Sequence, residues 1–128
     1  MGFSNVNYFL LGAAVLAALI VAVHLFAGGR DVARPLLQST ELDDTVRFTL
    51  YYCWHLVSIT LVMMFLGFAA AALSSSFAAL GLAATAFSVA FAAYGVWLAP
   101  KSGQGFGKMP QGLLFIPQSI LGLIGLFS

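Results

Sequence analysis

The chain has 128 residues, of which 62% are AVILMFWYC and only 7% charged, with a formal net charge of +1. A soluble domain carries about a quarter charged residues, so this chain cannot cover a water-facing surface, and one lipid-solvated, all-α membrane unit is expected. The same balance excludes a basic nucleic-acid surface, and the single cysteine excludes an internal disulfide.

The first apolar run covers residues 6–27. At about 1.5 Å per residue it is long enough for a bilayer core of about 30 Å. It lacks the basic n-region and short core of a signal peptide, so a retained transmembrane helix is expected. Gly28-Gly29 suits a helix end. The stretch 28–47 then reads as a polar loop carrying Arg30, Asp31, Arg34, Glu41, Asp43, Asp44 and Arg47, with Pro35 as a helix breaker. Thr40-x-x-Asp43 has the spacing of a capping box, which predicts a second helix from near Glu41. Asp43 and Arg47, four apart, are placed to pair on its surface.

The second span is read at 48–73. Ser74-Ser75-Ser76 is too short to be anything but a tight turn, so spans two and three form an antiparallel hairpin. The third span, 77–99, is rich in Ala and is closed by Pro100. A glycine-rich loop at 100–109 leads to the fourth span, 110–127, which has Pro117-Gln118 at its middle. The expected fold is therefore a four-transmembrane-helix bundle. Arg30, Arg34, Arg47, Lys101 and Lys108 all fall in or beside the loops 28–47 and 100–109, so the positive-inside rule makes those loops cytoplasmic and both termini non-cytoplasmic. No heptad or other repeat of useful length is visible, which argues against an inverted-repeat transporter.

Helices in lipid associate through small residues and a few hydrogen bonds. Ala14, Ala18 and Ala22 on helix one, and Ala84, Ser88 and Ala92 on helix three, have the four-residue spacing of such faces. They suit packing within the bundle or against a partner subunit. Gln118, at mid-membrane, is expected to satisfy freed backbone or a neighbouring helix.

The densest chemistry is Tyr51-Tyr52-Cys53-Trp54-His55. His24 and His55 both fall toward the cytoplasmic side, where three readings compete. Each ring can bond within the bundle, as ionisable groups in spans do. The two can ligate a b-type haem from two helices. Or His55, Tyr51 and Tyr52 can hold a quinone or a lipid headgroup. A Cys53–His55 metal site is disfavoured because residues two apart point in nearly opposite directions on a helix. Gly103, Gly105 and Gly107 lack the strand and the Lys-Ser/Thr of a phosphate cradle. No span contains an acid, and no catalytic set of acids, serines and histidines can be assembled.

Three segments also carry a resemblance: His24-x-x-x-Gly28-Gly29 leading to Arg34-Pro35-Leu36-Leu37, then Tyr51-Tyr52-x-Trp54-His55, then Met109-Pro110-Gln111-Gly112-Leu113-Leu114-Phe115. Together they resemble a group of small, uncharacterised bacterial four-helix integral membrane proteins, although Gly112 stands where that group tends to have an aromatic. The resemblance implies a bacterial inner membrane and no particular reaction. The leading expectation is a non-enzymatic accessory subunit of a larger respiratory or photosynthetic membrane complex, held by other subunits or copies of itself and with no cofactor of its own. The alternative is a small redox protein binding haem b or quinone through His24 and His55. A third is a permeation protein, for which the spans offer few polar groups.

Overall fold

The computed structural model describes residues 5–128 and is helical throughout, with no strand among the described residues. Helix α1 runs over Tyr8–Ala22, passes without a break into a π-helical stretch Val23–Ala33, and continues as α2, Arg34–Gln38. Together these make one 31-residue rod. Helix α3 is Asp44–Leu73, α4 is Ala78–Lys101, α5 is a single turn at Gly105–Lys108, and α6 is Gln111–Phe127. The Tyr8–Gln38 rod, α3, and α4 with its preceding turn are each long and apolar enough to cross a membrane, while α6 is a shorter apolar helix.

The four long elements pack in a ring: α1 on α3, α3 on α4, α4 on α6, and α6 back on α1. Short connections force this up-down order. The core is built largely from small residues, Ala13, Ala14, Ala17, Ala71, Ala72, Ala84 and Ala92, wedged by Leu10, Leu61, Met64 and Phe68. Phe, Leu, Ile and Val point outward along every helix. That inversion of the soluble pattern follows from lipid being as apolar as the core, so that close approach of backbones drives association.

Several expected boundaries shift. Gly28-Gly29 does not end the first helix. The chain carries its backbone hydrogen bonds straight through the two glycines by widening to i→i+5 spacing, with Arg34 N–H donating to Gly29 O. Pro35 does not break the rod: it lies in the first turn of α2, directly after the i→i+5 stretch. The long loop 28–47 thus shrinks to residues 39–43. Thr40 is not the cap; Asp43 is, its carboxylate accepting from Thr45 N–H at 2.9 Å. Arg47 pairs with Asp44 at 2.6 Å rather than with Asp43, and also donates to Ser39 O at 2.9 Å, tying the short loop to α3. Pro100 lies inside the last turn of α4, which ends at Lys101 and turns at Gly103 with φ +74°.

The opposite end is held by Asn7. Its backbone N–H reaches Ala72 O at 2.9 Å, its carboxamide N–H donates to Gly125 O at 2.7 Å, and its side-chain oxygen caps α1 at Leu10 N–H. One residue therefore ties α1 to α3 and α6. The turn between α3 and α4 is the tight serine hairpin, with the Ser74 hydroxyl accepting from Ser76 N–H.

Candidate functional site

The π-helical stretch is the least ordinary piece of backbone in the chain. Such stretches are rare, are usually a single turn, and tend to occur at functional sites. This one covers eleven residues and carries His24 in its first turn. The His24 ring stacks on the Trp54 indole, with centroids 3.9 Å apart and planes 16° from parallel. The contact requires Gly28, because a Cβ built there would lie 2.5 Å from Trp54 Cη2. His24 Nε2 is 2.9 Å from Ser58 Oγ. That hydroxyl also donates to Trp54 O at 3.1 Å. The Ser58 hydroxyl thus bridges the His24 ring and the α3 backbone one turn back.

Around this cluster lies a half-open pocket of about 530 Å³. Ile20, Val57, Leu61, Leu114 and Phe115 make its apolar wall. His24, Asp31, Lys108 and Gln111 supply its polar groups. The rod, α3, and the end of α5 with the start of α6 each contribute a side, so the site exists only in the assembled bundle.

His55 is not part of this pocket. It is exposed and meets Tyr51 edge-on, with centroids 4.6 Å apart, while Tyr52 faces outward. The structure thus separates the residues that the sequence grouped: Trp54, not His55, turns toward His24. The reason is helical geometry, since neighbours on a helix diverge by about 100°. Among the described residues, no three His, Cys, Asp or Glu side chains cluster to hold a metal. Trp54, Ser58, Gly28, Lys108 and Gln111 were not singled out from sequence as site residues, although Trp54 lay within the aromatic cluster.

Gln118 is buried, with 1% of its surface exposed, and donates from Nε2 to Ser88 Oγ at 2.7 Å. Ser88 in turn donates to Ala84 O, and Thr85 donates to Gly81 O. The Gln118 Oε1 atom has no partner. This is an interhelical clasp between α6 and α4.

The small-residue faces also separate. Ala84, Ser88 and Ala92 are buried against the bundle, as is Ala14. Ala18 points outward and Ala22 is half-buried, because the inner seam of α1 runs through Leu10, Ala13, Ala17 and Ile20 instead. A second small face on α4 is wholly exposed: Ala79, Ala83, Ala86, Ala90 and Ala93. Their alternating spacings of four and three put them on one outward stripe with the period of a left-handed helix crossing. Ala83 also lines an apolar groove of about 570 Å³ between α3 and α4, which has Gly67 and Ala70 on its floor and Met63 at its rim.

Comparison with protein-family models, curated proteins and solved structures returned no match, so the geometry carries the functional reading.

Proposed function

We propose that the chain is a four-span protein of a bacterial inner membrane that serves as a non-catalytic accessory subunit of a larger membrane complex, of respiratory or photosynthetic type. The observation that carries this reading is the outward alanine stripe of α4 beside the α3–α4 groove. A helix facing only lipid has no need of small side chains, whereas a second helix needs them to approach closely. The surrounding outward residues are large (Leu80, Leu82, Phe87, Tyr94 and Trp97), so the stripe forms a flat track between taller rims. It suits a transmembrane helix of another subunit.

The topology supports this placement. Helix α6, with 17 residues, is at the short end of the range of about 17–25 that spans a bilayer. All five Lys and Arg residues lie toward one end of the bundle: Arg30 and Arg34 in the last part of the rod, Arg47 in the first turn of α3, and Lys101 and Lys108 at the ends of α4 and α5; the positive-inside rule puts that end in the cytoplasm. Both termini then face the other side.

The test is native extraction in mild detergent followed by mass spectrometry, comparing wild type with Ala86→Trp/Ala90→Trp. Partner subunits retained by wild type and lost from the variant support the reading. A chain that leaves the membrane alone in both forms removes it. Labelling of single cysteines placed at Ser75 and Ser102, in a Cys53→Ser background, checks the orientation: Ser102 must react only from the cytoplasmic side.

A further inference from the structure

We propose that the His24 pocket is a headgroup site for a zwitterionic phospholipid bearing a primary ammonium. The proposal goes beyond the subunit reading and rests on it only for the membrane setting.

The pocket is amphipathic in one direction. Its apolar wall, with Ile20, Leu61 and Phe115, continues into the bundle, while its polar groups gather toward the charged end. A ligand that fits must join an alkyl chain to a polar head, and must lie with its head at the cytoplasmic face. A water-soluble metabolite has nothing to place against the apolar wall.

The polar groups then select the head. Asp31 and Lys108 line the same pocket but form no ion pair with each other; Lys108 is open to an anion, and Asp31 faces the pocket beside its partner Arg30. Asp31 is bound by Arg30 through both carboxylate oxygens, at 2.6 and 3.0 Å, yet its side chain is 58% exposed and each oxygen retains a second lone pair. His24, which also lines the pocket, is held in place by Ser58 and Trp54. The free lone pairs of the Asp31 carboxylate suit an ammonium with N–H donors. Lys108 and the Gln111 carboxamide suit a phosphate. A neutral quinone would bring no anion to Lys108, and phosphatidylglycerol would bring no ammonium to the free lone pairs of Asp31.

The experiment uses the full-length chain, delipidated in detergent and offered equal amounts of phosphatidylethanolamine, phosphatidylcholine and phosphatidylglycerol with matched acyl chains. Native mass spectrometry reads the adducts. Phosphatidylethanolamine is expected to be retained about tenfold over phosphatidylcholine, whose quaternary ammonium has no N–H to donate; that ratio corresponds to a single charge-assisted hydrogen bond. Asp31→Asn and Lys108→Ala should each abolish the preference, and Lys101→Ala, outside the pocket, should leave it intact. Arg30→Gln separates a site from a general charge effect: freeing Asp31 should hold or raise retention, whereas loss of a merely cationic surface would lower it. Equal retention of the three lipids, insensitivity to Asp31→Asn, or displacement of phosphatidylethanolamine by a ubiquinone analogue overturns the proposal. Because the measurement uses the isolated chain, it stands or falls independently of whether partner subunits are found.

Discussion

Gly95 of α4 and Gly112 of α6 touch backbone to backbone. A Cβ built on Gly95 would lie 2.5 Å from Gly112 Cα, and one built on Gly112 would lie 2.7 Å from Gly95 Cα. This contact sets how closely the two helices approach near the charged end. It also explains why an aromatic side chain has no room at position 112.

Substitution at either position should force the helices apart. Gly95→Ala and Gly112→Ala should each cost about 1–3 kcal/mol through overpacking, read as a lower midpoint in detergent unfolding. The double variant should cost less than the sum of the two, since one displacement relieves both clashes. Additive losses would mean that the contact is not shared.

Gly28 and Trp54 make the second prediction. In a Trp97→Phe background, which leaves one indole, Gly28→Ala should displace Trp54 from His24 and shift its fluorescence. Adding Trp54→Leu should remove the clash and recover part of the lost stability, which a double-mutant cycle measures. An unchanged emission spectrum in Gly28→Ala would show that the stack tolerates a methyl group there.

The Gln118 clasp is asymmetric. Ser88→Ala strands Gln118 Nε2 beside an Oε1 that already lacks a partner, and should destabilise by about 1–3 kcal/mol. Gln118→Met removes the bond and both polar atoms together. Interhelical hydrogen bonds in membranes average only about 0.6 kcal/mol, so this variant should be near neutral or more stable. The pair of unfolding midpoints decides: a larger loss for Gln118→Met than for Ser88→Ala would mean that Oε1 is satisfied.

The helices and their order were legible in the sequence, because an apolar run of 20 or more residues with hardly a charge has few folds open to it. The serine hairpin at 74–76 was legible for the same reason: so short a break leaves no other connection. The ends of the first helix were not. Gly28-Gly29 and Pro35 carry the signals that stop a helix, but the backbone runs on through them as a π-helix and then α2, and Gly28 is needed instead for its contact with the Trp54 ring, a tertiary reason that local sequence does not show.

The candidate site shows the same division. Composition and local spacing singled out His24 as an ionisable group within an apolar run, and placed Ala84, Ser88 and Ala92 on one face. They left open which side of each helix turns inward, because helices that are apolar all round have no polar face to mark the outside. Only the packing of α1 on α3 chose Trp54 over His55 as the neighbour of His24. Only the ring of four helices left Ala79, Ala83, Ala86, Ala90 and Ala93 outward. Sequence alone therefore determined that this chain is a bundle of apolar helices with its charges at one end, since hydropathy and length are local properties. Tertiary structure decided which residues meet, because in lipid that choice rests on the fit of small side chains between helices, and fit is a property of pairs.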